Sequence, residues 1–365
     1  MKICYICPSR TPHIRAYIDY FASRGHEIHI ISLTKDFVPD AELHYVGAGN
    51  ELKPINYFFG IPRVARVLRR VQPDICHAHW ITSNGMMAAM AGASPLIVTE
   101  HGSAMQRLKN VLRKSIVNYV AGKADLINPV SPALAELMSA AGIDKGKMFV
   151  ASVGVITDKF ITGPRDFSAR PLRLINTRAF RSLDNLDILV HALKILNDKG
   201  LEFHCTFAGP RGPEYENVKI LVQRLGLSDY CSFPEGYRQK ELPAILKNQH
   251  LYLTCTSFDG TSISLLEAMA AGLPVIASDI PANRNWIRND LSGLLVQVRD
   301  AQALAGAIER LYHHPDLCVQ FSGEAFKTVR IFGERDNIFA KLEEWYFTLA
   351  GMHIKRPENL PIEID

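Results

Sequence analysis

Ser257-Phe258-Asp259-Gly260-Thr261-Ser262-Ile263-Ser264-Leu265-Leu266-Glu267-Ala268-Met269-Ala270-Ala271-Gly272-Leu273-Pro274-Val275-Ile276-Ala277-Ser278-Asp279 decides the reading of this 365-residue chain. The apolar run Leu251–Cys255 just before it reads as a strand. A turn at Gly260 follows, then a helix from Thr261 to Ala271 closed by Gly272, then a second strand at Val275–Ala277. A helix that begins beyond a strand end presents unpaired N–H groups and the positive end of its dipole, which suits phosphate. Asp259 precedes this helix and Glu267 lies about 9 Å along it, at 1.5 Å per residue. Two carboxylates flanking a phosphate site can each accept hydrogen bonds from sugar hydroxyls. For an isolated pair, a helix cap and a salt bridge would be the plainer explanation.

The same rhythm extends outward. Towards the N-terminus, Leu172–Asn176 and Phe203–Phe207 read as strands, with helices at Leu186–Asn197 and Tyr215–Leu225. Before a linker-like stretch at 161–171, strands are expected at Lys2–Ile6, Glu27–Leu33, Ile75–His77, Leu96–Thr99, Leu126–Asn128 and Met148–Ser152. Between them lie helical patterns: one opened by Thr11-Pro12 and stopped at Arg24-Gly25, one at Pro62–Val71, one opened by Ser131-Pro132. Alternating units of this kind predict parallel sheets covered by helices, in two successive doubly wound domains.

Composition narrows the function. A net charge of +4 is too small for a dedicated nucleic-acid binder, and 47% hydrophobic with 21% charged residues excludes long disorder. Residues 1–165 carry a net +7 and residues 166–365 a net −3, so the first half is the one to meet an anionic surface or substrate. The seven scattered cysteines favour a reducing compartment, and Cys4 and Cys7 point to opposite faces of a strand. The opening apolar run is too short for a signal peptide, and Met86–Val98 is broken by Gly92 and Pro95. A cytoplasmic protein is expected, with peripheral contact at the inner face of the cytoplasmic membrane. No G-x-G-x-x-G follows the first strand, and Gly209-Pro210-Arg211-Gly212-Pro213 lacks the Lys of a P-loop. His77-Ala78-His79 and His313-His314 have no carboxylate or thiol at ligand spacing, so no metal is expected. His77 reads as a strand end and His313 and His314 as a solvated helix end.

The stretch from Ser257 to Asp279 resembles the signature of retaining glycosyltransferases of family 4, Glu-x7-Glu followed by Ala-Met-Ala-x-Gly-x-Pro-Val. Flanking motifs resemble the family in order: Ser9-x-x-Pro12-His13, Arg24-Gly25-His26-Glu27, Pro73-Asp74-Ile75-Cys76-His77-Ala78-His79-Trp80, Thr99-Glu100-His101-Gly102-Ser103, Gly154-Val155 and Asn289-Asp290-x-Ser292-Gly293. The resemblance implies the α/β GT-B fold, two doubly wound Rossmann-like domains facing each other across a cleft. The expected division is 1–165 for the acceptor, 166–332 for the donor, and a C-terminal helix and tail, 333–365, returning to the first domain.

It also implies a nucleoside-diphosphate sugar as donor substrate, no cofactor, no divalent metal, and a glycan, small-molecule or lipid-linked acceptor. The setting would be cell-surface polysaccharide or glycolipid synthesis. Arg178 would clamp the diphosphate, Glu267 hold the ribose, and Asp259 hold a hydroxyl of the transferred sugar; with His101 these form the catalytic set. Arg181, Gly209, Tyr237, Arg238, Gly260, Thr261, Ser262 and Ile263 would complete the donor site. Ser9, His13, His79, Trp80, His101 and Arg107 would lie on the acceptor side. Three features depart from the pattern. Asp259 replaces the first Glu, Asp184 stands where a Lys often meets the diphosphate, and the turn after the first strand lacks a Gly-Gly pair. A non-catalytic GT-B binding module or partner subunit, or a GT-B nucleotide-sugar epimerase, are the alternatives.

A second basic feature lies in the first half. Residues 103–121 read as a helix carrying Arg107, Lys109, Arg113 and Lys114 among apolar residues, and Pro62–Val71 adds four arginines. Such a face suits an anionic lipid surface or, equally, an ordinary solvated helix exterior.

Overall fold

The computed structural model describes residues 1–9, 11–47, 54–105, 110–161 and 163–352. The chain forms two compact units, Met1–Val153 with the C-terminal stretch that starts at Arg335, and Gly154–Glu334. The segment 163–171 therefore belongs to the second unit.

The first unit is built on six parallel strands: β1 (Lys2–Ile6), β2 (Glu27–Ser32), β3 (Glu42–Tyr45), β4 (Ile75–His79), β5 (Leu96–Glu100) and β6 (Leu126–Pro129). Their order is β3-β2-β1-β4-β5-β6. β4, β5 and β6 are buried along their whole length, as a sheet covered on both faces requires. That burial extends to polar residues, three of which line up with Tyr346 in a hydrogen-bonded row. Tyr346 OH lies 2.6 Å from His77 Nδ1, His77 Nε2 lies 2.6 Å from Thr99 Oγ1, and Thr99 Oγ1 donates to Asn128 Oδ1 at 2.9 Å. Because the threonine proton is committed to Asn128, His77 must donate from Nε2 and accept from Tyr346 at Nδ1. The row ties the C-terminal helix Arg335–Leu349 to this sheet, aided by Arg24 and His26 on Glu343.

The second unit repeats the plan with β7 (Leu172–Asn176), β8 (Phe203–Phe207), β9 (Cys231–Ser232), β10 (Leu251–Thr254), β11 (Val275–Ser278) and β12 (Leu294–Val296), ordered β12-β11-β10-β7-β8-β9. Its order reverses between β7 and β10, and a doubly wound sheet binds ligands beyond the strand ends at such a point.

Several expectations shift. Met148–Ser152 runs beside β6, with Phe149 and Ala151 donating to the Ile127 and Pro129 carbonyls, but the Asn128 side chain takes the carbonyls of Phe149 and Ala151, so it forms an isolated bridge rather than a ladder strand. β3 is an added short edge strand. His77 lies inside β4, which runs on to His79, rather than at its end. The helix expected at 103–121 is described as Val111–Lys123, with Asn110 accepting from the Arg113 N–H as its cap. Residues 106–109, with Arg107, Leu108 and Lys109, lie outside the described residues. Ser131 caps its helix as expected, by accepting from the Leu134 N–H.

Candidate functional site

In the second unit, β7 ends at Asn176, whose side-chain oxygen accepts from the Arg178 N–H at 2.9 Å and turns the chain. The loop that follows is pressed against the end of β8. A Cβ on Gly209 would meet the Arg178 carbonyl oxygen at 1.7 Å, so only glycine lets these two loops approach. The loop closes at Asn185, held in the left-handed region at φ 45° by bonds from its amide to the Cys255 carbonyl and Ser257 Oγ. Strain of this sort collects at functional sites.

This geometry brings Arg178 to the helix Ile263–Ala270. Its guanidinium lies 2.8 Å from Asp259, 2.9 Å from fully buried Asp184 and 3.2 Å from Ser262 Oγ. Arg181, half-exposed, donates to the other Asp184 oxygen at 2.7 Å. Burial alone would pull the Arg178 pKa down, but the Asp259 and Asp184 carboxylates outweigh it and hold the charge firmly. Arg178 is thus not a bare clamp. The side chain that caps the helix is Ser262, which accepts from the Leu265 N–H, so the helix starts at Ile263 rather than Thr261. Asp259 neither caps the helix nor stands alone.

Glu267 is nearly buried and accepts a hydrogen bond from the Gln239 amide. Gln239 is not among the residues expected in the donor site; it directly follows Tyr237 and Arg238, which are. Tyr237 is held up in pKa chiefly by burial, with Glu267 adding to the effect. Arg238 is exposed and paired with Glu241. Gly260 is buried and Thr261 half-buried in the turn before the helix. Asp259, Arg178, Ser262 and Ile263 therefore meet at one helix start, Glu267 lies further along that helix, and Arg181 and Gly209 support the neighbouring loop.

In the first unit, β4 runs straight into a π-helical turn, Trp80–Gly85, and Trp80 itself is left-handed at φ 68°. Bulky residues rarely adopt that region, and π turns mark functional sites. His79 Nδ1 lies 3.1 Å from His101 Nε2, Trp80 packs at 4.7 Å from the His101 ring, and His13 stacks on His101 at 5.9 Å. Burial pushes His101 down to about 3 and His79 well below its usual value, so both rings stay neutral. Ser9 does not join this cluster; its hydroxyl bonds Thr34 and Asp36. His313 and His314 are exposed.

The residue that organises this end is Glu100. It is fully buried and accepts from the N–H groups of Ile81 at 3.1 Å, Gly102 at 2.8 Å and Ala104 at 3.1 Å. It thereby fixes both the Trp80 turn and the His101 loop. The available signal was a charged residue ending an apolar strand directly before His101. Glu100→Gln keeps the shape but turns an NH2 towards one of these donors. We expect a loss of about 1–3 kcal/mol, read by urea unfolding, with a change in tryptophan emission. Unchanged stability would mean that the loops hold themselves.

Residues 165–328 match the family model of glycosyl transferases group 1, and residues 12–159 that of Glycosyltransferase Family 4. The amylovoran biosynthesis glycosyltransferase AmsK of Erwinia amylovora is 29% identical over 58% of this chain and 53% of its own length. The GDP-mannose-dependent alpha-(1-6)-phosphatidylinositol monomannoside mannosyltransferase of Mycobacterium tuberculosis is 25% identical over 71% of each chain. The match spans about half the length of several curated relatives, AmsK among them. Anabaena HepE in complex with UDP superposes with a TM-score of 0.80 at 16% identity, covering 95% of this chain and all of its own. The fold is GT-B. Taken with the two family models, it places the chain among the GT-B glycosyltransferases.

Proposed function

We propose that the protein transfers a sugar, with retention of configuration, from a nucleoside-diphosphate sugar to an acceptor in cell-surface polysaccharide or glycolipid synthesis. The observation that carries this reading is the Arg178 guanidinium at the start of helix Ile263–Ala270, with Asp259 beside it and Glu267 further along. As the bond from the sugar carbon to the diphosphate breaks, charge grows on the leaving group. A preorganised guanidinium and first-turn N–H groups stabilise that charge. The acceptor oxygen bonds to the same carbon on the same face, and its proton passes to the departing phosphate. Glu267 binds the ribose and Asp259 a sugar hydroxyl; on the first unit, neutral His101 serves the acceptor by hydrogen bonding rather than by charge. HepE, a neighbour in fold, is described with UDP, which supports this class of donor.

A second reading, a binding module without turnover, is favoured by one observation: Arg178 and Arg181 already face Asp184 and Asp259, leaving little net positive charge for a diphosphate. Incubation with UDP-, GDP- and ADP-sugars in excess chelator, followed by NMR of the product anomer, separates the two. We expect turnover without added metal. Glu267→Gln should weaken donor binding at least tenfold, whereas Asp259→Asn should blur discrimination among sugars. Binding without turnover across acceptors would favour the module; a new nucleotide sugar formed without acceptor would favour an epimerase.

The acceptor is assigned to the first unit and, we propose, is lipid-linked. A cavity of about 700 Å³ is lined by Tyr57, Phe58, Met86, Met90, Leu112 and Tyr119. Arg113 also lines it, and the neighbouring residues Phe59, Val111 and Lys114 are exposed, as is Arg66 on the helix that carries Tyr57 and Phe58. Among the described residues, no helix is long and apolar enough to cross a membrane. Sedimentation with anionic liposomes should carry the protein down, less so in high salt or after Arg66, Arg113 and Lys114 become Ser. A protein left in the supernatant at low salt would point to a soluble acceptor.

A further inference from the structure

The first unit holds a second cluster that the transfer reaction does not use. Two strands open with the same tripeptide pattern, Glu27-Ile28-His29 and Glu42-Leu43-His44. Spacing along the chain makes no metal motif of them, but the strands pair in parallel with His29 opposite Glu42. Alternate residues of a strand share a face, so all four side chains project from one face at the sheet edge. Glu27 and Glu42 are the first residues of their strands, at the end opposite the carboxyl termini where the candidate site lies.

His29, Glu42 and His44 each offer a ligand atom, all within 4.8 Å of one another. His29 Nδ1 lies 3.0 Å from His44 Nε2 and 3.5 Å from Glu42 Oε2. Nitrogen and oxygen ligands about 2.0–2.2 Å from a tetrahedral zinc stand roughly 3.3–3.5 Å apart, close to both separations. His29 Nε2 donates to Glu27 Oε1 at 2.9 Å. That bond leaves the Nδ1 lone pair facing Glu42 and His44, which is how metal-bound imidazoles are held by an outer carboxylate. Both rings are buried and stacked at 5.2 Å, so little side-chain freedom remains to be lost, while exposed Glu42 gives an entry path.

Without a cation the rings share one proton. Arg70 donates to His44 Nδ1, so His44 Nε2 carries the hydrogen and donates to His29. Zinc would take the place of that hydrogen. The proton moves to His44 Nδ1, which has Glu42 Oε1 at 3.6 Å, and exposed Arg70 turns away. We propose that His29, His44 and Glu42 bind a divalent transition metal, zinc by donor type, with water as fourth ligand and Glu27 as outer partner. The ion would pin β3, a four-residue strand at the sheet edge, to β2.

Calorimetric titration of zinc into the chelator-stripped full chain tests this. One equivalent should bind to the wild type. Glu42→Gln, a change at an exposed side chain that leaves packing intact, should weaken binding at least tenfold, and His29→Gln with His44→Gln should abolish it. Zinc at a hundredfold excess over Kd should raise the melting temperature by several degrees in the wild type but not in the double variant. Absence of wild-type binding, or equal binding in all three proteins, would overturn the proposal; the latter would place zinc on exposed histidines such as His313 and His314.

Discussion

Replacing Arg178 with Ala is expected to lower stability by about 3 kcal/mol and to weaken nucleoside diphosphate binding by about 1.5–3 kcal/mol. The first figure follows from what is left behind. Asp184 is fully buried and would keep only Arg181, whose side chain is half in solvent, while Asp259 would lose the charge 2.8 Å away. Removing one partner of a buried pair costs about 3–5 kcal/mol, and the surviving Arg181 bond sets the lower end. Arg178→Lys separates the two effects. It retains the charge, so most stability should return, but a single ammonium cannot serve two carboxylates and a phosphate in the fork geometry of a guanidinium. Urea unfolding and calorimetric titration of the diphosphate read them independently. A Lys variant that binds like the wild type would remove the fork from the mechanism.

The second large effect is acid lability of the first unit. His77 is fully buried and its pKa is pushed down to about 3 by desolvation, against an unfolded value near 6.5. Protonation would also place an N–H where Tyr346 now donates. A base depressed in the folded state contributes stability that is complete above pH 6.5 and is lost as pH falls from there to about 3. The slope is about 1.4 kcal/mol per pH unit for this one group. His101, also down to about 3, and His79 act in the same direction. Glu100, raised by burial, acts in the opposite sense, but it is one group against three and its backbone donors limit the rise. Stability measured by urea unfolding should therefore fall steeply between pH 6.5 and 4.5. His77→Gln should flatten that slope by about one proton; an unchanged slope would mean the ring is not held neutral.

The alternation of apolar runs and helical patterns was legible because buried parallel strands must be apolar on both faces, as Ile3–Ile6 and Leu251–Thr254 are. β3 was not legible, since Glu42-Leu43-His44-Tyr45 is polar at two of four positions and reads as a loop until it is seen to pair with β2. Met148–Ser152 differs in the other direction: it is largely apolar and bonds to β6 through the Phe149 and Ala151 N–H groups, yet the Asn128 side chain takes the carbonyls that a ladder would use. In the site, residue types were legible but their partners were not. Arg178, Asp184 and Asp259 are separated by up to 81 positions, and only the fold reveals that the arginine already faces two carboxylates. Glu100 is visible as a charged residue ending an apolar strand, but its role is not, because its partners are backbone N–H groups.

The central claim is that the second unit holds a nucleoside diphosphate at the helix Ile263–Ala270 with Glu267 on its ribose. Calorimetric titration with UDP, GDP and ADP of the wild type and Glu267→Gln tests it most directly. One of the three should bind the wild type at one equivalent, and the variant should bind it at least tenfold more weakly while unfolding at the same urea concentration within error. Failure of all three to bind, or equal affinity in the two proteins, would contradict it.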